Sequence, residues 1–540
     1  MLQQPSTIQS PTAAEWLALG LISIITVCVY GWIPAGGVGL IGFSDSVDYL
    51  LFTDFYRSQF AGEAPPEAVE FYRATRFPPL FPLLLASFGG GTDALQWTQV
   101  VAFAITLLMF AMLWAWLRRE TENPVAAATI TLLVVLSPGM FLLVLNPVSE
   151  PLAMGMTWLT FFLAAKPRMT TDRYILLALI AGMSTLARSA NIALLVAIPV
   201  WLYLQRATWK QWVSSTAAAF APFAFWLVYR RSIPRSDFYL DGLTLQYFVA
   251  ELGGWPDLLY VHPWRLISGF ASNLNTLNVL TLCIANTILV CATYGWWQRL
   301  WAKKLDAVFF AFYLGLILVW PFPTEAMRFM TFLLPLLFLY ALLGVQKLTQ
   351  AFPASTPSNA VAPALLALMF VLASASAISH FLYLATQTVD EELRGEQRTR
   401  IYFNTPDRAS ALKAAEGNAR IRLTARETTR LLPPDDCVYA TMPHLLQVHG
   451  PVKVVLYPKQ FAEGVPIETQ LRLCNYFFIS GLKGYYPSHR PFYPSDDLDA
   501  WTAPVLMSEV GDHLLIAALL VRESGTAPVP DDSLKEQDLP

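Results

Sequence analysis

Two aspartates and a tyrosine stand together in the stretch Phe43-Ser44-Asp45-Ser46-Val47-Asp48-Tyr49, which follows the first long apolar run of this 540-residue chain. An ionisable side chain at a membrane surface must find water, a partner or a substrate, because unpaired burial in hydrocarbon costs several kcal/mol. A carboxylate held there is placed for proton transfer. Asp45 equally fits the alternative of a helix N-cap for the segment beginning near Ser46, and Asp48 fits a supporting or solvated carboxylate. Arginines stand at the ends of later apolar runs: Arg76 before Phe77-Pro78-Pro79-Leu80-Phe81-Pro82, then Arg188 and Arg328. Each could hold an anion with its planar fork or snorkel to lipid headgroups. Glu150 precedes Pro151, where the start of a helix favours negative charge. Glu325 lies three residues before Arg328, a spacing that allows a pair on one helix face.

The elements that must position these groups are set by composition. The chain is 55% hydrophobic and only 14% charged, with 17 Trp, too apolar for a soluble globular protein of this length. Runs long enough to cross roughly 30 Å of hydrocarbon fall at 16–40, 95–117, 125–146, 148–165, 173–188, 190–205, 211–229, 275–297, 306–321, 327–346 and 361–385. The sequence therefore predicts a mainly α, polytopic membrane protein of about eleven spans. Arg118 and Arg119, Lys166 with Arg168 and Arg173, Arg206 with Lys210, Arg299 with Lys303 and Lys304, and Lys347 follow the even-numbered spans. Basic loops stay on the cytoplasmic side, so the N-terminus is expected inside. The first external loop, 41–94, and everything after about residue 386 are then expected outside, as in a bacterial inner-membrane protein with a periplasmic C-terminal domain. No basic residue precedes the first apolar run, which argues against a cleaved signal peptide.

The chain divides into a transmembrane module, 1–386, a soluble external α/β domain, 387–522, and a tail, 523–540, whose polar composition predicts disorder. Within the soluble domain, Thr405-Pro406-Asp407 predicts a helix start and Gly417 a stop. Strands are expected at Cys437–Met442, Val452–Tyr457, Tyr476–Ser480 and His513–Val521. An oxidising compartment would let Cys437 and Cys474 pair, though spacing alone leaves the disulfide open. The net charge of −3, without a Lys/Arg-rich tract, points away from nucleic acid. The sequence contains no zinc-ligand spacing, nucleophile elbow or nucleotide-binding loop.

In the order of its motifs the chain resembles the GT-C superfamily of integral-membrane glycosyltransferases, in particular the branch of the aminoarabinose and protein O-mannosyltransferases (glycosyltransferase family 39-like). The resemblance rests on Asp45 with Tyr49 four residues later, and on Arg76 ahead of the Pro-Pro-Leu-aromatic-Pro stretch. It also rests on Asn146-Pro147-Val148-Ser149-Glu150-Pro151, Leu186-Ala187-Arg188-Ser189-Ala190-Asn191 and Glu325-Ala326-Met327-Arg328-Phe329. It covers about residues 1–350 and departs from the aminoarabinose branch at Phe77, which separates Arg76 from the proline pair. It implies a GT-C fold, a polyprenyl-phosphate sugar donor and a site on the outer face, with a lipid, polysaccharide or protein as acceptor.

Under that reading Asp45 is the general base for the acceptor hydroxyl, with Asp48 as the alternative. Arg76, Arg188, Arg328 and Tyr49 would hold the donor and its phosphate, whose charge grows as it leaves. Glu150 and Glu325 would orient the acceptor or bind a divalent cation. Two other functions stay open at this level: a lipid-diphosphate oligosaccharide ligase or polymerase, and a non-enzymatic transporter or lipid-binding scaffold.

Overall fold

The computed structural model of the protein describes residues 12–31, 44–63, 77–165, 169–231, 257–275, 277–319, 326–350, 358–386, 408–433, 436–440, 443–450, 452–456, 473–480, 502–510 and 514–522. Among them the chain forms seventeen α-helices and five strands. The first are α1 (Ala13–Tyr30), α2 (Ser44–Ala61), α3 (Leu80–Ser87), α4 (Leu95–Thr121), α5 (Pro124–Val135) and α6 (Pro138–Leu145). Next come α7 (Glu150–Ala164), α8 (Thr171–Ala187), α9 (Ile192–Leu204), α10 (Trp209–Arg231) and α11 (His262–Ser272). The apolar series ends with α12 (Val279–Trp301), α13 (Leu305–Leu318), α14 (Ala326–Gln350) and α15 (Ser358–Thr386), before α16 (Arg408–Leu431) and α17 (Pro443–Gln447) of the C-terminal region.

Each of the eleven expected apolar segments contains helix, but not each is one long span. Among the described residues five helices are long and apolar enough to cross a membrane: Thr92–Thr121, Trp209–Tyr229, Val279–Trp301, Ala326–Leu348 and Val361–Ser379. The segment expected as a single span at 125–146 is instead two helices, α5 and α6, bent by 62°. Pro138 is the cause. It disfavours helix at Ser137 and removes a backbone donor. The apolar stretches Glu15–Tyr30, Ser189–Leu204 and Leu305–Leu318 are helical but shorter.

At the core, α14 is the most enclosed of the long helices, packed by α11, α12 and α15. Gly295 of α12 faces the Tyr340 carbonyl of α14 so closely that a Cβ there would collide with it. A stacked pair, Trp116 and Trp158 with ring centroids 5.3 Å apart, joins α4 to α7. The groups carried by the first turns of α7 and α14 are thus placed by the bundle as a whole.

The C-terminal region forms a five-stranded sheet in the order β2-β1-β3-β5-β4, made of β1 (Cys437–Ala440), β2 (Lys453–Leu456), β3 (Tyr476–Ser480), β4 (Thr502–Val510) and β5 (Leu514–Arg522). β1 pairs in parallel with β2 and β3, and β5 runs antiparallel to β3 and β4. Four strands lie where the sequence predicts them. The fifth, β4, escapes the pattern because Pro504 interrupts it beside a register shift between Pro504 and Leu506. Proline is tolerated there because β4 is an edge strand. Nor does Gly417 end a helix: α16 runs through it to Leu431. One glycine costs a helix only about 1 kcal/mol, and the buried stripe Ile421, Ala425 and Leu432 holds α16 on the sheet.

Cys437 and Cys474 form a disulfide with Cα atoms 5.0 Å apart. The C-terminal region reaches the membrane module through α17. Val448, just after it, is buried in a cluster with Val47, Leu50, Leu51, Phe52 and Phe55 of α2 and Trp226 of α10. The helix start expected at Thr405 and the tail 523–540 lie outside the described residues.

Candidate active site

Helix α2 carries Asp45 in its first turn, one residue inside its start at Ser44. Its residues Ser46 to Phe52 are all buried, because α2 is covered on two sides. Behind it lies the apolar cluster that includes Val448. In front, Tyr49 meets the rings of Phe77 and Phe81, with centroids 5.0 and 5.2 Å away. Pro78 and Pro79 open α3, so the proline-rich stretch sets the aromatic wall against Tyr49. On its far side α2 is tied to the loop before α4. Asp54 accepts from the Thr92 backbone at 3.1 Å and its hydroxyl at 2.5 Å, and Arg57 pairs with Asp93.

Four acidic and basic side chains from four distant elements meet here, Asp45 among them. Arg328, in the first turn of α14, donates from Nη1 to Asp45 Oδ2 at 2.6 Å and from Nε to Glu150 Oε1. Arg188, at the break between α8 and the short turn Ser189–Asn191, reaches the same Glu150 oxygen from Nη1 at 2.9 Å. The Arg188 guanidinium also lies over the Phe329 ring, 5.3 Å from its centroid. By side-chain exposure Glu150 is at 1%, Arg328 at 5%, Arg188 at 11% and Asp45 at 16%. The charges form a chain, Asp45–Arg328–Glu150–Arg188, whose two ends, Asp45 and Arg188, are its more exposed members and whose middle is buried. Two carboxylates against two guanidiniums balance, which makes burial of the set tolerable.

Glu150 owes its place to Ser149 and Pro151, which start α7 and leave the carboxylate at the helix's positive end. Ser149 Oγ is hydrogen-bonded to the Tyr49 hydroxyl at 2.7 Å, linking α7 to α2 beneath the charges. Glu150 Oε2 is buried and, among the described residues, has no hydrogen-bond partner. Among those residues no group of three or more His, Cys, Asp or Glu side chains is placed to hold a metal ion.

Of the residues singled out in the sequence, Asp45, Tyr49, Glu150, Arg188 and Arg328 come together here. Asp48 is buried on the same helix, at 5% exposure. Arg76 and Glu325 lie outside the described residues, so the spacing that allowed a Glu325–Arg328 pair is untested, while the partners of Arg328 seen here are Asp45 and Glu150. Sequence reasoning missed Ser149, Phe329 and Tyr313. Ser149 sits inside a stretch already noted for Glu150, so its neighbour was the available signal. Tyr313 is fully buried within the field of Arg188, Glu150 and Arg328. It stands in an apolar run, Phe309 to Leu318, whose pattern does not set it apart.

The overall fold is similar to that of a solved structure over nearly the whole chain. The crystal structure of ArnT from Cupriavidus metallidurans bound to undecaprenyl phosphate matches with a TM-score of 0.52 at 13% identity, covering 96% of this chain and 100% of that one. Its apo form gives 0.46 at 14% identity over 96% and 100%. Arabinofuranosyltransferase AftD from Mycobacteria gives 0.46 at 12% identity, over 95% of this chain and 40% of that one, so the chain spans well under half of AftD. No protein-family profile and no curated protein sequence matches the chain.

Proposed function

We propose that this protein is an integral-membrane glycosyltransferase that moves a sugar from a polyprenyl-phosphate donor to an acceptor hydroxyl on the outer face of the membrane. The observation that carries the reading is the Asp45 carboxylate, the most exposed of the four charges and held by Arg328 at the end of the chain. Asp45 is available to take the acceptor proton as the new bond to the sugar C1 forms and the bond from C1 to the phosphate oxygen breaks. The electron pair leaves with the lipid phosphate. A guanidinium has five N–H donors, so Arg188 and Arg328 can pair with carboxylates and still present donors to that phosphate. Glu150 then acts by orienting both arginines.

The bound undecaprenyl phosphate of ArnT motivates the donor class, and the fold likeness motivates the reaction class. The orientation follows from the basic even-numbered exits, with the N-terminus cytoplasmic and the C-terminal domain periplasmic.

The direct test supplies full-length purified protein with polyprenyl-phosphate sugars or with polyprenyl-diphosphate oligosaccharides, against lipid, polysaccharide and protein fractions of the cell envelope. Transfer from the monophosphate donors alone is expected, and a parallel arm with a chelator reports whether a divalent cation takes part. Transfer only from diphosphate donors would move the protein to the ligase or polymerase class. Binding without transfer would make it a scaffold.

A further inference from the structure

We propose that Asn273, at the end of α11, is a positioning residue that fixes the first turn of α14 and thereby the reach of Arg328 between Asp45 and Glu150. The inference deepens the reading above and rests on Arg328 belonging to the site.

Asn273 is fully buried, where a polar side chain is costly unless its hydrogen bonds are made. It makes all that an amide offers in this place. One hydrogen of Nδ2 goes to the Gly269 carbonyl of its own helix at 2.8 Å, and the other crosses to the Met327 carbonyl at 2.9 Å. Oδ1 accepts from the Thr331 hydroxyl at 2.6 Å. Met327 is the residue before Arg328, and Thr331 lies one turn beyond, so the amide brackets the turn from which Arg328 projects.

The same amide touches a second element of the site. A Cβ at Gly139 would collide with Asn273 Oδ1 and Thr331 Oγ1, so the bare backbone at the α5–α6 bend closes onto this hub. α6 then leads through Asn146 to Ser149 and Glu150. One buried amide thus sets the start of α14 against the segment that delivers Glu150, and both ends of the Arg328 bridge depend on it.

Asn275, two residues on, provides an internal control. It is also a buried amide, but it bonds to the Ala373 carbonyl at 2.7 Å and the Ser376 hydroxyl at 2.8 Å, both on α15. Losing it removes similar chemistry from the same loop, and among the described residues the side-chain bonds it loses go to α15 rather than to the turn of Arg328.

The experiment compares full-length wild type, Asn273→Leu, Thr331→Val and Asn275→Leu in lipid nanodiscs by two readouts. The first needs no activity: modification of Asp45 by a carbodiimide and an amine, located by mass spectrometry. Asn273→Leu and Thr331→Val are expected to raise Asp45 labelling several-fold as Arg328 withdraws, and Asn275→Leu to leave it at the wild-type level. The second is transfer from a polyprenyl-phosphate sugar. There kcat should fall on the order of ten- to a hundredfold in Asn273→Leu, the cost of a small misplacement of reacting groups, and donor KM should rise with it as Arg328 leaves the phosphate, while Asn275→Leu keeps both. Thr331→Val removes only a hydroxyl and keeps the test valid should Asn273→Leu fail to fold.

Wild-type labelling and kcat in both Thr331→Val and Asn273→Leu would overturn the proposal, as would equal effects from Asn275→Leu. Altered labelling together with no transfer by any form, wild type included, would support the positioning role and remove the glycosyltransferase reading instead.

Discussion

Glu150 is the most constrained group in the site, since one of its oxygens receives both guanidiniums. Replacing it with Gln would leave Arg188 and Arg328 buried side by side without their shared counter-charge, a change that typically costs about 3–5 kcal/mol. Asp45 differs. It pairs with Arg328 and is the least buried of the four charges, so Asp45→Asn should perturb stability far less. Thermal unfolding in detergent is expected to place Glu150→Gln well below wild type and Asp45→Asn close to it. The opposite ranking would mean that the buried charge balance drawn here is wrong.

At the scale of elements, α14 is tied at both ends. Its first turn carries Arg328, and near its other end the Tyr340 hydroxyl donates to Asp306 at 3.0 Å. Asp306 takes two hydrogen bonds from Arg299, both at 2.7 Å, and Arg299 and Lys304 both reach Glu120 of α4, at 2.9 and 3.2 Å. This network fastens α4, α12, α13 and α14 together through side chains other than the four charges of the candidate site. Arg299→Met leaves two buried carboxylates with one half-exposed lysine, so a loss of about 3–5 kcal/mol is expected. Folded Arg299→Met protein should nonetheless keep the wild-type donor KM, and a changed KM with normal stability would assign this network to the site.

The helices that build these ties were legible as apolar runs, because every run of about 17 residues or more announces itself by composition. The bend between α5 and α6 was not, although Pro138 was its visible cause: an apolar run of 22 residues hides the interruption when only total hydropathy is weighed. The site was legible to the extent that charge is conspicuous in hydrocarbon. Asp45, Glu150, Arg188 and Arg328 stand out against their neighbours, whereas Ser149, Tyr313 and Asn273 do not, since hydroxyls and amides occur throughout apolar helices. What no spacing could reveal is the pairing itself, because Asp45 and Arg328 are 283 residues apart.

Across the whole molecule, the C-terminal region is part of the packing of the helix that carries Asp45. Val448 is buried in one cluster with Val47, Leu50, Leu51, Phe52 and Phe55 of α2. A charge at this point cannot be buried without penalty. Val448→Asp is therefore expected to detach α17 from α2, seen as faster backbone hydrogen exchange in residues 44–55, and to lower kcat with it. Unchanged exchange in α2 would show that the two regions are independent.

The central claim is that Asp45 removes a proton from the acceptor while the sugar leaves a polyprenyl phosphate. The most direct test is the single-turnover rate of transfer by Asp45→Asn and Asp48→Asn beside wild type, with donor binding measured separately. Asp45→Asn is expected to bind donor nearly as well as wild type and to transfer roughly 10²–10⁴-fold more slowly, with Asp48→Asn much milder. A rate for Asp45→Asn above about a tenth of wild type lies outside what general-base catalysis contributes and would contradict that claim; reversed outcomes for the two variants would move the base to Asp48.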